Sequence, residues 1–184
     1  MMDFSFHDRH VNYNAMETIT ILGVGNILMS DEGFGVRMVE YLSAAYRFPP
    51  QVELLDGGTS GIYLAPAIED SRRLLIIDVL NMKGPAGEIH LLAGDDLRGA
   101  GLQISVSPHQ VGLLEIIDLC RLRDKAPDEI KIIGIIPQDI SLSLELSPTL
   151  RARIKSVADM VIKQIEEWTN ARVIPGPGAA HPAP

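Results

Sequence analysis

Three side chains with metal-binding or proton-transfer chemistry stand where a strand gives way to a loop or a helix begins: Glu32, Asp78 and His109. Glu32 lies in ILGVGNILMSDEGFGV, where Gly23, Gly25, Gly33 and Gly35 allow sharp turns and close approach to a ligand or partner chain. Asp31 and Glu32 also admit a plainer reading, as a helix cap and a first-turn acid, and spacing alone supports both equally. Asp78 closes the apolar run LLIIDVL. A buried carboxylate there needs a cation, a hydrogen-bond network or a metal, although capping of the next loop is an alternative. His109, in ISVSPHQVG, falls in the first turn of a predicted helix. The positive end of the helix dipole disfavours imidazolium and keeps the ring neutral, as a metal ligand must be. A histidine without such company would be an ordinary capping residue.

Brought together, the three offer two hard oxygens and one imidazole nitrogen. That set suits nickel or zinc with coordination positions left open. With no cysteine ligand, it suits a metal that arrives with a substrate. A second candidate is the loop LLDGGTSG, in which Asp56, Gly57, Gly58 and Thr59 combine mobility with hydroxyl donors. Taken alone, that loop reads as a tight turn capped by Asp56. Other chemistry is weaker. His7 and His10 precede the body, His181 follows it, and His90 sits in an alternating strand as a solvent-facing residue. Cys120 occupies a core-facing helical position, the place of an inert thiol. Ser107 reads as a cap, and no G-x-S-x-G elbow is present.

The elements that must position these residues follow from apolar periodicity. Thr18–Gly23, Val52–Leu55, Leu74–Val79, Glu88–Leu92 and Ile130–Ile136 read as strands, several without alternation, as befits strands covered on both faces. Helical spacing marks Phe34–Tyr46, Ile62–Ile68, His109–Leu122 and Leu150–Trp168. Ser107-Pro108 and Ser147-Pro148 each set a hydroxyl cap before a proline at the first helical position. The alternation predicts a three-layer α/β sandwich, with a twisted, mostly parallel five-stranded sheet flanked by helices. In such sheets ligands bind outside the carboxyl ends of the strands, where Glu32, Asp56 and Asp78 are expected.

At 184 residues the chain has the size of one domain, read as 17–170 with a polar extension at 1–16 and a flexible Pro/Gly/Ala-rich tail at 171–184. A net charge of −8 argues against nucleic acid, whose phosphates require clustered Lys and Arg. One cysteine excludes an intrachain disulfide and fits the reduced cytoplasm. No apolar run reaches the roughly 18–20 residues a bilayer requires, and residues 1–15 lack the apolar segment of a secretory signal. With no coiled-coil stripe, a monomer that pairs transiently with its partner is expected.

In their order and spacing, GVGNILMSDEGFGV, LLDGGTSG, LLIIDVL and SPHQVG resemble the hydrogenase maturation proteases from about Thr18 to Ile165. The resemblance implies an endopeptidase that removes the C-terminal tail of a nickel-loaded precursor of a nickel–iron hydrogenase large subunit. It makes Glu32, Asp78 and His109 the metal ligands and catalytic residues. It also assigns Asp56, Gly57, Gly58 and Thr59 to substrate contact. Nickel would come with the substrate, and zinc or another divalent transition metal would substitute for it. The metal either polarises the peptide carbonyl or its bound water, or serves as a recognition mark while a carboxylate activates water.

Two other classes compete. A non-catalytic nickel-sensing assembly chaperone would use the same ligands without cutting. A dinucleotide-binding oxidoreductase is invited by Gly23-x-Gly25, with Glu53 or Asp56 as the ribose acid. However, the third glycine of its fingerprint falls on Leu28.

Overall fold

The computed structural model describes residues 17–93 and 108–176, with backbone alone at 108–111. Five strands form one sheet: β1 (Ile19–Val24), β3 (Val52–Gly58), β4 (Arg73–Val79), β5 (Ile89–Ala93) and β6 (Glu129–Ile135). Their spatial order is β3-β1-β4-β6-β5. β1, β3, β4 and β6 run parallel, while β5 pairs antiparallel with β6. The short link at 80–88 explains the reversal. A parallel return needs a crossover of roughly a dozen residues or more, so β5 starts near the edge where β4 ends and runs back. β2 (Tyr46–Arg47) and β7 (Ile174–Pro175) form a separate antiparallel pair.

Among the described residues the helices are α1 (Phe34–Ala45), α2 (Ala65–Glu69), α3 (Pro108–Leu122), α4 (Pro148–Arg151) and α5 (Ile154–Thr169). Side chains of successive strand residues point to opposite faces, so each strand feeds two cores. On one face Ile19, Ile21, Leu75, Ile77, Ile133 and Ile135 pack with Phe34, Met38 and Leu42 of α1 and Val157, Val161 and Ile165 of α5. On the other, Leu22, Leu74, Ile76, Ile130 and Ile132 meet Ile68 of α2 and Leu113, Ile116, Ile117 and Cys120 of α3. The three-layer α/β sandwich expected from the sequence is therefore the architecture found.

Two expectations are corrected. The predicted Ile62–Ile68 helix is a tight 3-10 turn, Gly61–Leu64, running into α2. The predicted Leu150–Trp168 helix is broken at 152–153, and the turn there leaves Leu150 and Ile154 both fully buried. Ser147 caps its start as expected, accepting from the Leu150 N–H at 3.2 Å. Within the segment read as tail, Val173 is buried, Ile174 and Pro175 are exposed, and the Gly176 N–H donates to the Ala45 carbonyl at 2.7 Å.

The motif glycines serve the chain itself. A Cβ on Gly35 would lie 2.2 Å from the Ile77 carbonyl oxygen and 2.3 Å from that of Val24. Only glycine lets α1 rest its first turn directly on the ends of β1 and β4. Gly25, at φ +138°, would set a Cβ 1.8 Å from the Glu32 carbonyl oxygen. The close approach expected toward a ligand is thus an approach to neighbouring backbone.

Replacing Gly35 by alanine must push α1 off both strands. Urea denaturation should show a loss of about 2–3 kcal/mol, the range of overpacked cores. An unchanged midpoint would contradict the close contact.

Candidate functional site

The carboxyl ends of β1, β3 and β4 lie side by side. Gly23 is in register with Asp56 of β3 and with Ile77 of β4, the residue before Asp78. Asp78 is 2% exposed, and its Oδ1 accepts from the Val79 N–H at 2.7 Å. Glu32 is half-buried in the 3-10 turn Ser30–Gly33, which packs against β4 just before α1. Because Gly35 sits on the Ile77 carbonyl, the turn carrying Glu32 is delivered to the strand end that carries Asp78.

His109 is the second residue of α3, and its side chain lies outside the described residues. The helix itself runs beside the Gly61–Leu64 turn, and its Gly112 borders a cavity shared with Gly58 and Thr59. Among the described residues no three of His, Cys, Asp and Glu form a metal-binding group. Two of the three predicted ligands are therefore gathered at one edge, and the backbone of the third starts the helix that flanks it. Two carboxylates supply hard, anionic oxygen donors suited to a divalent cation.

Asp56 is exposed, and its Oδ1 accepts from the Gly58 N–H at 2.9 Å, the capped turn that the plainer reading describes. Gly58 takes φ +45°, and its carbonyl accepts from the Gly25 N–H at 3.0 Å. This ties the β3 loop to the β1 loop. Asp56, Gly58 and Thr59 line an open groove of about 280 Å³ with Gly25, Asn26, Ile27, Leu28 and Val36. Gly57 is buried beneath them against Leu22 and the Gly23 carbonyl, so it supports the loop from below.

Asp31 has a role that sequence reasoning missed. It is fully buried, and instead of capping α1 its carboxylate reaches the loop after β6. Oδ2 accepts from the N–H groups of Gln138 (2.8 Å) and Asp139 (2.9 Å), and Oδ1 from that of Ser147 (2.8 Å). Backbone bonds reinforce this latch: Ser30 N–H to the Ser143 carbonyl, Asp31 N–H to that of Asp139, and Ser143 N–H to that of Leu28. Ser30, at φ +46°, is held further by its hydroxyl donating to the Glu145 carbonyl at 2.9 Å. The partners lie more than a hundred residues away in sequence, so no local pattern announces them.

His90 is half-buried beside Glu88, at 3.5 Å, rather than fully solvent-facing. Cys120 is fully buried, as expected, and burial pushes its thiol above the ordinary range, with Glu69 adding to the effect. Ser107 lies outside the described residues.

A largely parallel α/β domain with acidic side chains at the carboxyl edge of its central strands belongs to the class that handles ligands and substrates there. Comparison with known proteins defines the family. The family model HycI, hydrogenase maturation protease, matches residues 36–164, which include Asp56, Asp78 and His109 and begin four residues after Glu32. The hydrogenase 2 maturation protease of Escherichia coli K12 is 35% identical over 149 residues, covering 81% of this chain and 91% of its own. The hydrogenase expression/formation protein HupD of Bradyrhizobium diazoefficiens is 36% identical over 152 residues, covering 82% and 79%. The structure of the hydrogenase maturating endopeptidase HybD from E. coli superposes with a TM-score of 0.80 at 33% identity, covering 86% of this chain and 97% of that one. The chain belongs to the hydrogenase maturation protease family. It is a protease, and the dinucleotide-binding reading falls with that assignment.

Removing the Asp31 carboxylate strands three backbone donors. Asp31→Ala should lose at least about 3 kcal/mol in urea denaturation, since each buried unsatisfied group costs about 1–3 kcal/mol. A variant as stable as the parent would show the latch to be dispensable. The raised Cys120 thiol keeps its proton in the folded state through the ordinary thiol range. Its contribution to stability is present below that range and is lost as pH rises through its raised value. At pH 8 the native protein should react with a thiol reagent only as fast as it unfolds, and prompt labelling would contradict the burial.

Proposed function

We propose that this protease removes the C-terminal extension from a nickel-loaded precursor of a nickel–iron hydrogenase large subunit, with Glu32, Asp78 and His109 meeting the precursor's nickel. The observation that carries the proposal is the seating of α1. By resting on Val24 and Ile77, Gly35 brings the Glu32 turn to the end of β4, where Asp78 stands. The start of α3, with His109, flanks the same edge. The E. coli relative named as a hydrogenase 2 maturation protease supports the substrate class.

The metal belongs to the substrate. Two carboxylate oxygens and an imidazole nitrogen, held on separate elements, are donors that one divalent cation can bridge. A precursor without nickel lacks that anchor, and its scissile bond is left unplaced. With nickel present the precursor is anchored, and the chain beyond its metal ligands is laid along the groove bordered by Asp56, Gly58 and Thr59. Hydrolysis then adds water across one peptide bond, the hydroxyl to the carbonyl carbon and a proton to the departing amine. A carboxylate at this edge can take the proton from the water, and a nearby cation stabilises charge developing on the oxygen. The protein acts as a cytoplasmic monomer in a transient complex with its precursor. No helix among the described residues is long and apolar enough to cross a membrane.

The test uses matched nickel-loaded and nickel-free precursors, with tail release followed by intact mass. The loaded precursor should be cut at least about a hundredfold faster, and Glu32→Ala, Asp78→Asn and His109→Ala should each lower that rate by about 10–100-fold. Equal cleavage of the two precursors would overturn nickel recognition. Binding without cleavage would make the chain a nickel-sensing chaperone.

A further inference from the structure

Gly112 is the one glycine of α3, and the two usual reasons for such a residue are missing. Its backbone is not in the left-handed region, unlike that of Gly25, Gly58, Gly61 and Gly87. Nor do the described residues crowd it. Among the described residues, a Cβ added there meets nothing within 4 Å, whereas one on Gly35 would strike two carbonyls. Glycine is the poorest helix former after proline, so a helix keeps it at a cost. A reason remains in the space that the missing side chain leaves.

That space is a cavity of about 90 Å³ lined by Val24, Leu64, Leu113 and Ile116, with Gly58, Thr59, Gly61 and Gly112 completing it. The four apolar side chains are buried members of one core cluster, so the walls are rigid. Gly58 and Thr59 border both this cavity and the groove that runs past Asp56, which makes the two spaces neighbours across a single loop. Position 109 lies one helical turn before Gly112. The volume is well below the roughly 150 Å³ of an apolar cavity that holds a benzene ring. It matches one branched aliphatic side chain, and the described residues that line it offer no charge to a polar one.

Resting on the proteolytic reading above, we propose that this cavity is a specificity pocket for an aliphatic side chain of the precursor beside its scissile bond, kept open by Gly112. Seating that side chain orients the peptide relative to the Asp78 edge and selects against precursors with a charged or aromatic residue at that place. A pocket of this kind adds selection by shape to selection by metal. It acts on the polypeptide, so it separates precursors that carry the same nickel site.

The experiment compares the wild-type chain with Gly112→Ala and Gly112→Leu. Thermal unfolding is read alongside kcat/KM for a nickel-loaded precursor, and the precursor's aliphatic residues near the cleavage point are trimmed singly to alanine. Gly112→Ala should unfold at the same temperature or up to about 2–4 °C higher, because helix propensity improves and nothing is struck. Gly112→Leu should lower kcat/KM by about tenfold or more, the effect of a pocket that no longer admits its side chain. One trimmed precursor should lose rate with the wild type and show no further loss with Gly112→Leu. If the wild type cuts the loaded precursor and Gly112→Leu cuts it equally well, the pocket is overturned while the proteolytic reading stands. A lower unfolding temperature for Gly112→Ala would overturn it too, by showing the space to be filled. A wild type that leaves the loaded precursor uncut would remove the parent reading and this inference with it.

Discussion

The structure depends on a backbone-to-backbone contact at the start of α1. Gly35 lies against the carbonyls of Val24 and Ile77, and Gly23 lies against Gly35 in turn. No side chain fits between these surfaces. The contact fixes the angle at which the chain leaves β1, and with it the position of the turn that bears Asp31 and Glu32. Neighbouring acids then take opposite roles. Asp31 points inward and holds the loop after β6 through three backbone N–H groups, while Glu32 stays half-buried at the sheet edge beside β4. On the proposed reading, structure and chemistry are divided between these two adjacent carboxylates.

On that reading the edge is both rigid and reactive. The β1 loop is tied to the β3 loop through Gly25 and Gly58, and to the β6 loop through Asp31, Ser30 and Leu28. Carboxylates intended for a metal are most useful when their positions are set before the metal arrives, because ordering them on binding would cost affinity. In the proposed site the third member, His109, comes from a separate helix, so on that reading a complete ligand set forms only around an ion presented in the right place.

The strands were legible because their composition is extreme: LLIID and KIIGII have no polar face and must be buried on both sides. The direction of β5 was not, since an apolar run carries no sign of which way it points; the short 80–88 link carried that information instead. The burial of Val173 was hidden by the proline and glycine content that follows it. Glu32, Asp56 and Asp78 were proposed from a rule of topology that needs no coordinates, and the structure puts Asp56 and Asp78 at strand ends and Glu32 in the turn between β1 and α1. The role of Asp31 was not accessible in the same way, because its partners are Gln138, Asp139 and Ser147 and the bonds come from their backbones, which all residues share. Gly112 stood in plain view inside SPHQVG, but its meaning depends on the empty volume beside it.

The central claim is that side chains of this protease bind the nickel carried by the precursor. X-ray absorption at the nickel edge measures that contact without reference to turnover. Spectra would be recorded for the loaded precursor alone and for its freeze-quenched complex with the wild-type chain and with Glu32→Ala. The account predicts new oxygen and nitrogen neighbours around nickel in the wild-type complex, with fewer in the variant. A nickel shell unchanged by a bound, active protease would contradict it.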